Sequence, residues 1–326
     1  MFECVPNVSE GRDPLVLSKI RQVISDSAGI RLLNFDSSFD ANRTVITFVG
    51  DELSIATAVS SLVAMCLELI DMRNQKGSHP RIGALDVCPI IPLNDSTMEQ
   101  AVDLSLKIGR EVSSRLSIPI FLYAESANSS YRRDLSSIRK GEFEGLKDKL
   151  NQHHWVPDFG PRGPHPSFGA MALGARDILV AFNVNLETDD ERVAKHIAQS
   201  IRTKASEISG AVDGTHRRLP ALKAIGWTLP SEGRVQVSCN LVDYKKTGLA
   251  QVYEACRALA SAYGTRVTGS EVVGMLPIEA LLAAGNFYLV GKEATSEELV
   301  ETAVRELNLS ELSPFILVER LLPSRL

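Results

Sequence analysis

The sequence predicts an α/β (α+β) protein made of two ferredoxin-like sandwich subdomains, each a mixed β-sheet with helices on one face. Three observations carry this expectation. Apolar spacing switches repeatedly between a period near 3.6 and a period of two. The elements fall twice into the order β-α-β-β-α-β, the split βαβ arrangement. A stretch dense in proline and glycine, Trp155 to Asp177, separates the two runs.

Taken in order, "FECVPNVS" reads as a strand, and Pro14 to Ser27 has helical spacing at Leu15, Leu17, Ile20, Val23 and Ile24. "IRLLNFDS" and "RTVITFVG" are strands joined by the polar loop Ser37 to Asn42. Asp51 to Met72 is a helix with Asp51 at its N-cap, followed by the strand "ALDVCPIIPL". Ser96 with Glu99 three residues later opens a helix to about Arg115, and the strand "PIFLYAES" closes the unit. The second run starts with "DILVAFNVNL" and a helix over Asp189 to Ile208. "LKAIGWTLP" and "RVQVSCNLVD" then form a hairpin across "SEG". A helix over Thr247 to Tyr263, the strand "TRVTGSEVVGML", helices at Ile278 to Ala284 and Ser296 to Leu307, and an edge strand over Pro314 to Leu322 complete the chain. The domains are expected at 1–178 and 179–326. The pairs Asn7-Val8 and Asn183-Val184 sit in equivalent strands, by duplication or by chance. The Pro/Gly stretch reads as an ordered loop packed between domains, where ligand sites are common.

Composition narrows the function. The 326 residues carry a net charge of −5, which argues against a nucleic-acid partner. The five cysteines form no C-x-x-C pair, and no Cys/His ligand spacing appears, so reduced thiols, no metal and a cytoplasmic location are expected. The N-terminus shows no signal-peptide pattern. The apolar helix from Leu53 to Ile70 contains Ser54, Thr57, Ser60, Ser61 and Glu68, and reads as a core helix rather than a membrane span. Neither a phosphate loop nor a G-x-S-x-G elbow is present.

The chemistry centres on "GSHPRIGALDVCPIIPL", Gly77 to Leu93. His79 lies in a turn flanked by Gly77, Pro80, Arg81 and Gly83, and a neutral imidazole accepts a proton near pH 7. The alternative is a solvated loop histidine. An orienting carboxylate is expected; Asp36, at a strand end, is preferred over Asp86, which lies among small and apolar neighbours. Arg81 offers a two-pronged grip on a substrate carboxylate. Asn7, Ser9, Glu10, Asn42 and Arg43 sit at loop positions suited to a small polar substrate, or act as turn formers. Asn183 and Asn185, on the first strand of the second unit, complete the candidate binding set.

Together, "ECVPNVSEGR", "NRTVITFVG", "KGSHPRIGALDVCPIIPL", "PDFGP", "PSFGAMALGARDILVAFNVNL" and "QVSCNLVDY" resemble the glutamate formimidoyltransferase family, the formiminotransferase half of formimidoyltransferase-cyclodeaminases. The resemblance implies two α/β subdomains, a homodimer, and transfer of a formimidoyl group from N-formimidoyl-L-glutamate to tetrahydrofolate in histidine degradation. It implies His79 as the catalytic base and Asp36 as its partner. It also implies that Gly160, Pro161, Arg162, Gly163, Pro164, His165, Pro166, Ser167, Phe168 and Gly169 contact the folate. Because the sequence stops at Leu326, a single-function enzyme is expected, with any cyclodeaminase a separate protein. Rival readings are a 5-formyltetrahydrofolate cyclo-ligase-like or formyl-transfer enzyme, and a folate-binding protein without catalysis.

Overall fold

The computed structural model describes residues 1–202 and 218–323. It divides into two compact units, Met1–Asp177 and a second beginning at Ile178.

In the first unit the N-terminal strand is broken by Val5-Pro6 into β1 (Phe2–Cys4) and β2 (Asn7–Val8). Proline has no amide hydrogen to give the ladder, but the Pro6 carbonyl still accepts from the Ile46 amide. Helix α1 (Pro14–Ser25) starts with proline in its first turn, and the Asp13 side chain accepts from the Leu15 and Val16 amides. Strands β3 (Arg31–Ser38) and β4 (Arg43–Gly50) pair antiparallel. Asp51 caps α2 (Glu52–Leu69), which leads to β5 (Leu85–Pro92). Both β1 and β2 pair antiparallel with β4 on one side and β5 on the other. The resulting order, β3-β4-β1/β2-β5, is the split βαβ order.

Helix α3 (Met98–Leu116) follows, then β6 (Ile120–Leu122), the short helices α4 (Leu135–Arg139) and α5 (Leu146–Leu150), and β7 (Met171–Ala175). Strand β7 inserts between β5 and β6, parallel to both, and completes a seven-stranded mixed sheet. It falls inside the Pro/Gly stretch, where the sequence predicts an irregular loop. The capping box of α3 is Thr97 with Gln100, one residue beyond the expected Ser96 and Glu99.

Helices α1, α2 and α3 cover one face of this sheet. Ile20, Ile24, Phe48, Leu62, Ile90 and Ile108 are fully buried in that layer, each contributing about 1.5–3 kcal/mol of apolar burial. Helix α2 is long and apolar enough to cross a membrane, yet Ile55, Val59, Leu62 and Val63 are buried in this core. On the opposite face α4 and α5 cover only the β5-β7-β6 end, where Ile138, Leu146 and Leu150 meet Val87, Phe121 and Ala172.

The second unit runs β8 (Val180–Leu186), α6 (Glu191–Ile201), β9 (Leu222–Leu229), β10 (Arg234–Leu241), α7 (Leu249–Ala262) and β11 (Val267–Val273). Its four strands pair antiparallel in the order β11-β8-β10-β9, again ferredoxin-like. Val180, Phe182, Val184 and Leu186 alternate into a core shared with α6 and α7, which α8 (Ile278–Tyr288) and α9 (Ser296–Glu306) extend. The expected edge strand over 314–322 is replaced by a short helix, α10 (Leu317–Arg320), and a single bridge from Leu321 to Leu276. The end of the helix expected over Asp189 to Ile208 lies outside the described residues.

Candidate active site

The first sheet turns its polar side chains to the face away from α1–α3. On β4, Ile46 and Phe48 enter the core, so Arg43 and Val45 point the other way. On β5 the pairing with β2 shifts register: Asn7 opposes Val87 and Val8 opposes Leu85. Asp86 is therefore the extra residue of a β-bulge, re-aimed onto the open face instead of into the core.

Asp86 is fully buried and fully hydrogen-bonded. Its Oδ2 accepts from Arg43 Nη2 at 2.7 Å and from Arg139 Nε and Nη2 at 3.0 and 2.5 Å; its Oδ1 accepts from the Ile82 amide at 2.9 Å. Burial would raise its pKa, but Arg139 and Arg43 outweigh that and hold it well below the usual carboxylate range. Burial pulls Arg43 down to about 10 against the opposing pull of Asp86. Arg43 Nε also donates to Asn7 Oδ1 at 3.0 Å.

His79 sits in the turn between α2 and β5. Gly77 is required there, because a β-carbon would lie 2.1 Å from the Ala41 carbonyl oxygen. His79 Nδ1 is 2.7 Å from the Pro80 carbonyl oxygen. A carbonyl only accepts, so Nδ1 carries the hydrogen and the neutral ring keeps its lone pair on Nε2. Burial first, then Arg43 and Arg139, push the imidazole well below the ordinary histidine range; Asp86 and the Pro80 carbonyl act in the opposite direction. The ring is thus neutral at pH 7 and able to take a proton.

A second network fixes the surrounding loops. Glu10 Oε1 accepts from the Gly11, Arg12 and Asp13 amides at 2.9, 2.7 and 3.0 Å, and Oε2 accepts from Gln75 Nε2 at 2.8 Å. Gln75 Oε1 accepts from Asn42 Nδ2, while Asn42 Oδ1 accepts from the Gly11 amide. Ser9 Oγ donates to the Gly83 carbonyl at 2.7 Å. Ser9, Glu10 and Asn42, expected to hold substrate, thus use their side chains to tie loops together beside His79. Arg81 departs from expectation too. Its Nη1 donates to Glu142 and Glu144 at 2.7 and 2.9 Å, and its Nη2 to Glu144 and the Gln75 carbonyl at 2.7 and 3.0 Å. The two carboxylates already occupy the fork offered to substrate.

The Gly160–Gly169 loop is laced to the same segment. The Ala84 amide donates to the Phe168 carbonyl, the Ala170 amide to the Ile82 carbonyl, and the Met72 amide to the Ser167 carbonyl. Gly160 and Gly169 adopt φ of 88° and 85°, and a β-carbon on either would strike the Ile118 or Ile82 carbonyl oxygen at 2.4 or 2.2 Å. Phe168 is fully buried in the core, so it anchors the loop instead of facing a ligand. Pro161, Arg162 and Pro166 are exposed, while Gly163, Pro164, His165 and Ser167 are partly so. A β-carbon on Gly163 would meet nothing within 4 Å.

Around His79 these residues form a shallow recess, lined by Ser9, Ala41, Asn42, Arg43, Gln75, Lys76, Gly77 and Arg81. Asp36 is partly buried on β3 and opposes Val45, which opposes Asn7 across β4. It therefore shares the open face with Arg43. Asp86 also acts on the imidazole, together with Arg43 and Arg139. Gln75, Arg139, Glu142 and Glu144 were not singled out from sequence. Their partners lie far along the chain, and no local pattern announces them.

Asn183 and Asn185 belong to the second unit, on the sheet face away from α6 and α7. Asn183 Nδ2 donates to Glu271 Oε1, Asn185 Nδ2 to Glu311 Oε2, and Gln236 Nε2 to both Asn185 Oδ1 and Glu271 Oε1. Their amides are engaged in a buried polar lattice with Trp227, whose Nε1 donates to Gln236 at 2.7 Å.

Residues 1–176 match the model of the formiminotransferase domain, N-terminal subdomain, and residues 181–324 match the formiminotransferase domain. The chain belongs to the formiminotransferase family. It is 41% identical over 289 residues to the glutamate formimidoyltransferase of Streptococcus pyogenes serotype M1, covering 89% of this chain and 93% of that protein. It is 42% identical to the formimidoyltransferase-cyclodeaminase of Dictyostelium discoideum and 40% identical to that of Rattus norvegicus, covering 97% and 99% of this chain. It spans 58% and 59% of the length of those two relatives.

Proposed function

We propose that this formiminotransferase-family chain transfers the formimidoyl group of N-formimidoyl-L-glutamate to N5 of tetrahydrofolate. The products are 5-formimidoyltetrahydrofolate and L-glutamate. The observation that carries the reading is His79: a neutral imidazole with Nδ1–H tied to the Pro80 carbonyl and its basic lone pair on Nε2, at a recess joined to the Gly160–Gly169 loop.

Attack of N5 on the formimidoyl carbon gives a tetrahedral intermediate. Nε2 takes the N5 proton and then gives a proton to the glutamate nitrogen, whose bond to carbon breaks; the proton count closes with no other acceptor. Asp86 balances Arg43 and Arg139 behind the ring and favours the transient imidazolium. Asp36, on the same sheet face, is the family-implied partner of His79, and its part in orienting the ring belongs to this proposal. Gly163 has no neighbour to which a side chain would pack, which suits the approach of a flat pterin to bare backbone. Tetrahydrofolate is a co-substrate in this reading, with no metal required. A homodimer in the cytoplasm, and a separate cyclodeaminase to consume the product, complete the proposal.

The direct test is incubation with tetrahydrofolate and N-formimidoyl-L-glutamate, following the folate product by absorbance and L-glutamate by a coupled assay. Stoichiometric appearance of both is expected. Binding of tetrahydrofolate with neither product formed would favour a non-catalytic folate-binding protein.

A further inference from the structure

A donor built on glutamate brings carboxylates to the site. Three cationic side chains line the recess beside the imidazole: Arg43, Arg81 and Lys76. Two are already neutralised within the protein. Arg43 is buried against Asp86, and Arg81 is forked between Glu142 and Glu144. To grip substrate, Arg43 would have to loosen its contact with the fully buried Asp86, which is costly, and the fork of Arg81 is already filled by Glu142 and Glu144. Among the described residues lining the recess, Lys76 is the cation whose ammonium has no carboxylate within ion-pair distance. Its charge lowers the pKa of Glu144 as one of several influences, without forming a pair.

Most exposed lysines are simply solvated. Lys76 differs in where its backbone is held. Its carbonyl accepts from Asn42 Nδ2 at 3.1 Å, and the next residue, Gly77, packs against the Ala41 carbonyl. The root of the side chain is therefore fixed three residues from His79 while its tip can still reach a ligand.

We propose that Lys76 binds a carboxylate of the amino-acid donor and so sets the preference of the site for an acidic one, an inference that rests on the formimidoyl-transfer reading. The donor's α-carboxylate is two bonds from the nitrogen that receives the proton of His79, so it must lie close to that imidazole. The glutamyl carboxylates of tetrahydrofolate are separated from N5 by the whole aminobenzoyl group. Position beside His79 therefore selects the donor over the folate as the source of the anion. Lys76 contacts substrate equally in the ground and transition states, so its effect falls on KM and leaves kcat largely alone.

The test compares the wild-type protein with Lys76→Met and Lys76→Arg in steady-state kinetics, and adds calorimetric titration with L-glutamate. A charge-assisted contact of this kind is worth roughly tenfold to a hundredfold in affinity. The expected result for Lys76→Met is a rise of that size in donor KM and in the Kd for L-glutamate, with kcat and the tetrahydrofolate KM within about threefold; Lys76→Arg should recover most of the loss. Unchanged donor KM and L-glutamate Kd would overturn the proposal, as would a rise in tetrahydrofolate KM alone. Should the wild type bind L-glutamate through Lys76 yet form no product, the lysine assignment would stand and the transfer reading would fall.

Discussion

The Glu10–Gln75–Asn42 chain has a direction, and reversing one link tests it. Three amides and Gln75 all donate to Glu10, and Asn42 donates to Gln75. Gln75→Glu would place two carboxylates face to face where a 2.8 Å hydrogen bond now stands. Glu10→Gln would turn a side-chain amide donor onto the Gln75 Nε2 donor. Each single change removes a hydrogen bond to a charged group and strands a partner, at a cost of about 2–4 kcal/mol. The double variant Glu10→Gln/Gln75→Glu restores every link with the charge moved one step. The side-chain amide then at position 10 accepts from the three backbone amides and donates to the carboxylate then at position 75, which still accepts from Asn42. Its stability should return to within about 1 kcal/mol of wild type, a coupling of at least about 3 kcal/mol. Equilibrium unfolding in urea reads the stability, and kcat reads the placement of His79, because Gln75 lies in its loop. The deficit of Gln75→Glu alone should shrink as pH falls towards 5, since a shared proton relieves the pair: the folded pKa is raised, so stability is lost as pH rises. A double variant as unstable as the two singles summed would refute the drawn direction of the chain.

Three further outcomes are expected. His79→Ala should lower kcat by roughly 10²–10⁴-fold with little change in tetrahydrofolate affinity, and the acid limb of the wild-type kcat/KM profile should fall below about 6.5, because the depressed pKa keeps the base neutral to lower pH. Asp86→Ala should cost about 3–5 kcal/mol by leaving Arg43 and Arg139 without their shared carboxylate; as the folded carboxyl pKa is lowered, its stabilisation is complete above about pH 4 and disappears as pH falls through the folded value, so acid unfolding of the variant should lack this component. Gly163→Val should leave the urea midpoint unchanged, within about 0.5 kcal/mol, while raising tetrahydrofolate KM; an unaltered KM would remove that face of the loop from the folate site.

Local pattern revealed the twofold βαββαβ order because each of those elements carries its own period, as Ile46 and Phe48 do on β4. Strand β7 has none: "MALGA" is buried at every position, so nothing alternates, and alanine and glycine have low strand preference. The end of the chain failed in the opposite sense. "PFILVERLL" has strand-like apolar content, but only Leu321 makes a bridge, and Leu317–Arg320 closes as a helical turn. In the site, the turn that carries His79 was legible because glycine and proline flank it. The partners of Arg81, Glu142 and Glu144, were not legible because they come from more than sixty residues away. Asp86 on the open face was not legible, because the bulge that turns it outward depends on its pairing with Asn7 and Val8, which no local pattern contains.

That bulge also makes the reading frame of β5 unforgiving. Leu85 faces the core before it, and Cys88 and Ile90 face the core after it, with two outward residues rather than one between Leu85 and Cys88. Excising a single codon here would rotate one side of the strand by half a turn, burying what should be wet or baring what should be dry. Gene shuffling across this point should therefore tolerate substitutions of Asp86 far better than its deletion.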